Sequence, residues 1–352
     1  MKALYICAFH LALLGCICFS QTTPTNIATT YTVTDLGPGF DVASINAAGQ
    51  IAGTLNTCSN GSCTSRALLF SGGTFTDLGT LNGANSVAQA VNASGEVVGY
   101  IGVIPYSHAA LFASGNVTDL GLLPGGTFTF ATDINNNGEV VGWGDVPGGY
   151  IHSFTWQPGS GGLVDIGAPP IQSFPAAAVA RSVNRKGKIV GNAFFESFNA
   201  GHAFLWTKDV FEDLGVLPGD TSSYATDIND LGKVVGVSMG DSGGDAVLHA
   251  FLYSAGQMTS LGSITGDIYT VANSINKVGI AVGFGQPAGL VPAHALIFVK
   301  DKVHDLNTLV PADSMHLGDA RGINVVGQIA GLGLPAGEPS LHGFLLTPVP
   351  QK

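Results

Sequence analysis

Residues 224–236 have the sequence YATDINDLGKVVG, which predicts a strand, a tight turn and a second strand. Asn229 stands at the head of the turn, where its side chain can accept hydrogen bonds from the main-chain N–H groups just ahead. Gly232 stands at the end, where a positive φ can join a type I turn to a returning strand through a bulge. The two residues between them are free to vary, because they lie at a solvent-facing tip. The stretch therefore predicts a β-hairpin.

The same turn recurs seven times, with its asparagines 46, 43, 49, 45, 47 and 48 residues apart. A short apolar strand that ends in glycine follows each turn, as in Val234-Val235-Gly236. A repeat of this length is typical of propellers and other repeat architectures. The turn residues are Asn46 and Gly49, Asn92 and Gly95, Asn135 and Gly138, Asn184 and Gly187, Asn229 and Gly232, Asn276 and Gly279, and Asn324 and Gly327.

Two further strands complete each repeat. One begins with histidine, as in His202-Ala203-Phe204, and the other ends in Asp-Leu-Gly, as in Asp213-Leu214-Gly215. A short polar spacer between them predicts a second hairpin. Because each unit has four short apolar strands and no helical periodicity, we expect an all-β fold: a seven-bladed β-propeller of four-stranded antiparallel blades. A β-solenoid is the alternative, although its coils would not need two hairpins each.

The two ends of the repeat region are complementary. The region begins with an Asp-Leu-Gly strand at residues 31–37 and ends with the histidine strand at residues 342–346, which normally precedes it. We therefore predict that the N- and C-terminal strands pair and close the ring, which removes exposed sheet edges. The expected domains are a signal peptide at 1–20, a linker at 21–30, the propeller at 31–348 and a tail at 349–352.

The N-terminus has the pattern of an export signal. Lys2 is followed by an apolar run of 17 residues, 3–19, and then by a polar segment. We place cleavage after Ser20, which predicts an extracellular or periplasmic protein. The alternative is a lipobox-like sequence at residues 13–16, which would make Cys16 a lipid anchor. We expect no transmembrane span in the mature chain.

The mature chain contains two cysteines, Cys58 and Cys63, with four residues between them in a loop. In an oxidising compartment this spacing favours a local disulfide. A metal site is the weaker interpretation, because only two ligands are present and no histidine is near. The formal charge of −11, without a Lys/Arg cluster, indicates no binding to nucleic acid.

The repeated elements resemble those of the HAF-repeat family, bacterial repeat proteins regarded as extracellular. The family takes its name from the strand seen here at His202-Ala203-Phe204 and His249-Ala250-Phe251. The resemblance covers about residues 31–348 and implies export and repetition, without an established activity or catalytic residue set. Arg66 replaces the histidine in the first repeat, and Gly343 replaces the alanine in the last.

The repeated polar residues are interpreted as structural. Six of the nine histidines occupy one repeat position, where we expect them to make hydrogen bonds at the start of a strand. No Ser-His-Asp order, paired acid motif or phosphate loop is present, so we predict no catalytic residue, no metal, no cofactor and no enzyme activity.

The loops that differ between repeats are the predicted binding surface. Aromatic and carboxylate side chains on one face suit a glycan or a peptide; the alternative is that these rings only pack the loops. We therefore expect an exported, monomeric binding or scaffold module. The other candidates are a propeller enzyme acting on polysaccharide and a structural envelope or matrix protein. The candidate ligand-binding residues are Trp143, Asp145, Tyr150, Phe195, Asp241, Asp245 and Tyr269.

Overall fold

The computed structural model describes residues 28, 30–59, 62–81, 83, 85–103, 106–169, 177–194, 201–242, 244–289, 292–300 and 302–350. The predicted signal peptide, Cys16, most of the linker, Phe195 and the last two residues of the tail lie outside the described residues. None of the helices in the described part is long and apolar enough to cross a membrane.

The described chain begins with β1 (Tyr31–Pro38), and the strands then follow four at a time. Blade 1 is β2 (Phe40–Ile45), β3 (Ile51–Ser59), β4 (Ser62–Ser71) and β5 (Thr74–Asp77). Blade 2 is β6 (Ser86–Val91), β7 (Val97–Val103), β8 (Tyr106–Ala113) and β9 (Asn116–Gly121). Blade 3 is β10 (Thr129–Ile134), β11 (Val140–Val146), β12 (Tyr150–Trp156) and β13 (Val164–Gly167).

The later blades repeat this arrangement. Blade 4 is β14 (Ala178–Val183), β15 (Ile189–Phe194), β16 (Gly201–Thr207) and β17 (Val210–Asp213). Blade 5 is β18 (Ser222–Ile228), β19 (Val234–Ser242), β20 (Asp245–Ser254) and β21 (Gln257–Ser260). Blade 6 is β22 (Asp267–Ile275), β23 (Ala281–Pro287), β24 (His294–Val299) and β25 (Lys302–Asp305), followed by a 3₁₀ helix at Leu306–Leu309. Blade 7 is β26 (His316–Ile323), β27 (Ile329–Leu334), β28 (His342–Pro348) and β1.

The strands of each blade pair in order as an antiparallel sheet. Blades 5 and 6 are also joined by one parallel pair, between Leu248 and Tyr269. Blade 7 closes the ring, because β1 pairs with β28 from Tyr31 opposite Pro348 to Asp35 opposite Phe344. The predicted all-β propeller of four-stranded antiparallel sheets is confirmed, including its closure by the two terminal strands.

A ring of hydrogen bonds joins the seven turns. Each turn asparagine is nearly buried and donates from Nδ2 to the main-chain oxygen of the asparagine in the next blade. Asn229, for example, donates to Asn276 over 3.1 Å, and Asn324 closes the ring by donating to Asn46 over 3.1 Å. The other donor–acceptor pairs are Asn46 to Asn92, Asn92 to Asn135, Asn135 to Asn184, Asn184 to Asn229 and Asn276 to Asn324.

The turns themselves have the predicted geometry. The Asn229 side-chain oxygen accepts hydrogen bonds from the N–H groups of Leu231 and Lys233, both at 3.0 Å. Gly232 has a φ of 79°, in the left-handed region. The glycines at the corresponding positions of the other six turns also have positive φ. The same local chemistry therefore forms each hairpin.

We expect Gly232→Ala to destabilise the protein by about 1 kcal/mol, because a Cβ atom is strained at this φ. The cost should be purely conformational, since the added Cβ would meet no atom within 4 Å. Urea unfolding would measure the change in the free energy of unfolding. Leu231→Ala, at the exposed tip of the same turn, is the control. An unchanged free energy in the glycine variant would contradict the assigned role.

The core lies between neighbouring blades. Small residues such as Ala180 and Ala225 on the inner strands are fully buried. The glycine that was predicted to end each second strand lies inside it, because the strand continues beyond, as β19 does to Ser242. It allows the strands to approach closely: a Cβ on Gly236 would lie 2.0 Å from the main-chain oxygen of Tyr224. A phenylalanine from the third strand of each blade fills the space between sheets: Phe70, Phe112, Phe154, Phe204, Phe251, Phe298 and Phe344.

The repeated histidines join the third and fourth strands. His202 Nδ1 lies 2.9 Å from the Asp213 carboxylate, which also accepts the N–H of Gly215 at 2.7 Å. This agrees with the structural interpretation. The same pairing joins His108 to Asp119, His152 to Asp165 and His342 to Asp35, while Arg66 faces Asp77 in blade 1. Blades 5 and 6 differ. In blade 5 the partner of His249 is Asp220, which precedes the blade. In blade 6 the partner of His294 is Asp267, which begins the first strand.

The predicted disulfide is present. Cys58 on β3 and Cys63 on β4 lie directly opposite each other and are covalently bonded. The bond joins the last residue but one of β3 to the second residue of β4.

Candidate functional site

The two faces of the propeller differ. Because successive strands alternate in direction, the connections after the second and fourth strands of each blade emerge on one face, which we call the loop face. The asparagine turns lie on the opposite face, which we call the turn face. A central channel lined by the inner strands runs between them. Ligands of propellers and barrels are held in such mouths, so the loop-face mouth is the first place to look for a site.

An aromatic cleft of about 390 Å³ opens beside the channel on the loop side of blades 2 and 3. Phe130 lies at its centre, with ring centroids 4.8 Å from Tyr100, 4.8 Å from Trp143 and 5.5 Å from Phe128. All four rings are half-buried, so part of each ring remains open to solvent. Burial raises the pKa of Tyr100, so its hydroxyl stays neutral. The cleft offers a broad apolar surface.

Polar groups converge on the same cleft. Arg181 reaches it from β14 and Gln89 reaches it from β6, and both are exposed. Desolvation lowers the pKa of Arg181, an effect that Tyr224 opposes, but a guanidinium stays charged at neutral pH. Arg181 forms no ion pair with any carboxylate of the described residues. Its charge is therefore available to an anionic ligand.

A second crevice of about 370 Å³ shares Gln89 and Tyr100 with the aromatic cleft. It extends toward blade 1 and contains Arg321. That guanidinium is already paired, since it lies 2.9 Å from Asp319 and also contacts Asp41. It also donates to the main-chain oxygen of Val42. Arg321 therefore joins blade 7 to blade 1, and the crevice is a polar extension of the cleft.

Two aspartates lie on inner strands, closer to the turn face than the cleft. A bulge follows Ala131 in β10 and Ala225 in β18, and Asp133 and Asp227 are the residues at which regular pairing resumes. Asp133 and Ser182 line a cavity of about 230 Å³ at the turn-face end. Burial raises the pKa of Asp133 to about 6, main-chain hydrogen bonding from Val183 opposes the rise, and the charge of Asp227 adds to it. A carboxyl group of this kind is a candidate proton donor.

The structure brings only part of the predicted site together. Trp143 lies in the aromatic cleft. Asp145 accepts the N–H groups of Thr127 at 2.6 Å and Phe128 at 2.8 Å, so it holds the loop that carries Phe128. Burial opposes ionisation of Asp145, but these hydrogen bonds outweigh it and lower its pKa. Asp145 is therefore a positioning residue and not a free ligand group.

The remaining predicted residues do not line the cleft. Tyr150 is exposed at the start of β12. Asp241 accepts the N–H of Gly244 within its own turn, and Asp245 begins β20 nearby. Tyr269 lies at the junction of blades 5 and 6. Phe195 lies outside the described residues. The predicted set is thus spread over several blades.

The predicted site lacked Gln89, Tyr100, Phe130, Thr132 and Arg181, because these residues lie on strands and only the variable loops were expected to bind a ligand. Two features of the sequence could have identified these residues. Tyr100 and Trp143 both follow the glycine of a second strand, so two successive repeats carry an aromatic ring at one position. Gln89, Thr132 and Arg181 all stand three residues before a turn asparagine. The positions that indicate the cleft are those whose residue type varies between repeats within an otherwise constant strand.

The structure defines a closed β-propeller with a cleft beside the channel, and solved β-propeller structures are similar to its fold. The chain is similar to the beta-propeller domain of the Trilobed protease from Pyrococcus furiosus, at 11% identity over 89% of this chain and 97% of that chain, with a TM-score of 0.59. It is also similar to oligogalacturonate lyase from Vibrio parahaemolyticus, at 10% identity over 91% of this chain and 94% of that chain, with a TM-score of 0.57.

A longer peptidase chain is also similar. Acylaminoacyl peptidase from Pyrococcus horikoshii matches at 10% identity and a TM-score of 0.54 over 89% of this chain, which corresponds to 52% of that chain. At these identities the likeness establishes the propeller fold. No family model matches the chain, and no curated protein matches it significantly. The resemblance to the HAF-repeat family therefore stays a prediction.

These neighbours correct one expectation. We expected a binding or scaffold module without catalytic activity, whereas the similar structures are propellers of peptidases and a lyase. The expectation was wrong because the repeats record only the turn and strand chemistry of the scaffold. Chemistry in such a fold depends on residues that the repeats do not share.

Proposed function

We propose that this chain is a carbohydrate-active enzyme that binds an acidic oligosaccharide at the loop-face mouth of the channel and cleaves its glycosidic bonds. The observation that carries the proposal is the lining of the aromatic cleft, which combines four aromatic rings with the amide of Gln89 and the guanidinium of Arg181, a group without an ion-pair partner among the described residues. Aromatic faces stack on the apolar faces of sugar rings. A guanidinium binds a carboxylate through two parallel hydrogen bonds.

The channel also supplies a candidate proton donor. Thr132 lines the cleft, and Asp133, the next residue of β10, faces the channel behind it. Cleavage of a glycosidic bond by hydrolysis needs an acid that protonates the leaving oxygen. A carboxyl group whose pKa is raised to about 6 holds a proton in mildly acidic solution. The lyase among the similar structures is named for oligogalacturonate, a substrate of the same acidic class.

The test compares an oligogalacturonate with its methyl ester, which has the same sugar rings without the negative charge. The purified chain should release new reducing ends from the acidic form and act much more slowly on the ester. Ultraviolet absorbance of an unsaturated product would distinguish elimination from hydrolysis. Peptides with free C-terminal carboxylates form a third arm. Cleavage of peptides alone, or turnover of none of these compounds and of no other uronate oligosaccharide, would overturn the proposal.

We expect Trp143→Ala to weaken binding of the acidic oligosaccharide about tenfold, because the largest stacking surface of the cleft is lost. Calorimetric titration would give the dissociation constant, and circular dichroism would check that the fold is retained. Tyr150→Ala is the matched control: it removes an exposed aromatic ring from the same blade, outside the cleft. Equal losses in the two variants would place binding elsewhere.

Arg181→Gln should remove most of the preference for the acid over its ester, since the glutamine retains hydrogen bonding without the charge. The same titration with both ligands measures this. A variant that still prefers the acid by the original factor would exclude Arg181 as the carboxylate anchor.

A further inference from the structure

One hydroxyl group in the channel wall bridges two carboxyl groups. Ser182 belongs to blade 4 and is almost completely buried. Its Oγ lies 2.8 Å from Oδ2 of Asp133 in blade 3 and 2.9 Å from Oδ1 of Asp227 in blade 5. Three consecutive blades therefore meet through these three side chains.

The number of protons in this arrangement is set by its geometry. A serine hydroxyl carries one hydrogen and can donate to only one of the two carboxyl groups. If both aspartates were ionised, the other contact would place two oxygen lone pairs face to face at hydrogen-bond distance, with like charges on either side. A second proton, carried by one of the carboxyl groups, makes both contacts hydrogen bonds.

The remaining hydrogen bonds indicate which aspartate carries that proton. Asp227 accepts three further donors: the N–H of Ile228 at 2.7 Å, the N–H of Ile275 at 2.8 Å and the hydroxyl of Ser274 at 3.0 Å. Donors of this kind stabilise the ionised form of a carboxyl group.

Asp133 accepts only two further donors, the N–H groups of Ile134 and Val183, each at 2.8 Å. Asp227 is therefore the better-stabilised anion, and Asp133 carries the proton. Burial raises the pKa of both groups, and the charge of Asp227 raises that of Asp133 further.

We propose that Asp133, Ser182 and Asp227 form a single proton-binding site in the channel wall, and that release of its proton weakens the contacts among blades 3, 4 and 5. The site shares Asp133 with the proposed enzyme activity, but it acts without substrate, and thermal unfolding tests it separately from turnover. In acid, Asp133 donates to Ser182 and Ser182 donates to Asp227. Above the mildly acidic range, Asp133 loses its proton and two anions face one hydroxyl.

Few other charged groups face this site. Arg181 precedes Ser182 on β14 and points to the aromatic cleft. At the turn-face end, Arg185, Asp230 and Lys277 line the rim of the cavity. The positions equivalent to the two aspartates in the other five blades cannot titrate: they are Ser44, Ala90, Ser182, Ser274 and Gly322. The propeller fold therefore does not require an aspartate there.

Thermal unfolding between pH 4 and pH 8 tests the site. The pKa of Asp133 is raised from 3.8 to about 6 in the folded protein, so its stabilising contribution is complete below pH 3.8 and is lost as pH rises toward 6. At each pH the melting temperature of Asp133→Asn is subtracted from that of the natural protein. This difference should fall by about 5 °C across that window and stay level at higher pH. Asp209→Asn, which neutralises an exposed carboxylate at a hairpin tip, should follow the natural protein. Parallel curves for the natural protein and Asp133→Asn would overturn the proposal.

A second measurement needs no variant and remains decisive if Asp133→Asn fails to fold. At pH 5 ordinary aspartates and glutamates are mostly ionised, so an infrared carbonyl band of a protonated carboxyl group that persists at pH 5 and disappears by pH 8 is expected. Ser182→Ala should shift the midpoint of this change. The absence of a protonated band at pH 5 in the natural protein would exclude the shared proton.

Discussion

Deleting residues 345–352 is expected to unfold the entire ring at a much lower temperature, although it removes only half of one strand. Those residues include the part of β28 that lies between β27 and β1. The deletion removes the pairing of Tyr31 with Pro348 and of Val33 with Leu346. It also removes Leu346 itself, which is fully buried in the core cluster between blades 6 and 7.

The expected loss is large for two reasons. Removing a fully buried leucine side chain costs roughly 3 kcal/mol or more in cores of this kind. In addition, β1 loses the paired half of its partner strand, which exposes a sheet edge and opens the ring. We therefore expect the melting temperature to fall by about 10 °C or more, as measured by circular dichroism.

A circular permutant is the matched control for this deletion. Moving residues 31–38 behind residue 348 through a short linker keeps every strand pair and makes blade 7 continuous in the chain. This variant should melt close to the parent. A truncated chain as stable as the parent would contradict closure by the terminal strands, whereas an unstable permutant would mean that chain order matters beyond the pairing itself.

The scaffold could be predicted from the sequence because its determinants are local and repeated. Asn229 and Gly232 define a turn by hydrogen bonds and a dihedral angle that involve only neighbouring residues. Seven copies of that turn specify the strand order and the closing pair. The strand pattern needed no knowledge of contacts between distant residues.

The glycine within each second strand illustrates what the sequence does not reveal. The pattern predicts that Gly236 ends a short strand, but β19 continues to Ser242. The glycine is required because the main-chain oxygen of Tyr224 would lie 2.0 Å from an added Cβ. That contact exists only after β18 and β19 have paired around a bulge. A residue type can thus be recognised as constant before the contact that requires it is known.

The cleft was harder to predict for a related reason. Tyr100, Trp143 and Arg181 come from three different blades, and they meet only because the inner strands surround one channel. The residue types at these positions vary between repeats, whereas the repeats reveal only the positions that stay constant. The side chains that give the cleft its aromatic and polar character lie at those variable positions.

Asn229→Asp is expected to destabilise the protein by about 3 kcal/mol or more, although the two side chains have almost the same shape. Asn229 is 5% exposed. The variant keeps an oxygen that accepts the N–H groups of Leu231 and Lys233, so the turn retains its acceptor. It loses the Nδ2 donor to Asn276 and places a carboxylate oxygen against that main-chain oxygen. A buried charge that loses its partner costs about 3–5 kcal/mol.

Three comparisons isolate the donor bond that links one blade to the next. Leu231→Asp adds the same charge at the exposed tip of the same turn and should change the free energy of unfolding by less than about 0.5 kcal/mol. Asn229→Ala removes both the acceptor and the donor. If Asn229→Asp is milder than Asn229→Ala at pH 7, the turn acceptor dominates and the ring of donors contributes little.

The loss in Asn229→Asp should also shrink in acid, because burial raises the pKa of the new carboxyl group and its protonated form can donate to Asn276 again. Urea unfolding at pH 4 and pH 7 would measure that recovery, and a loss independent of pH would contradict the seven-membered ring as a source of stability.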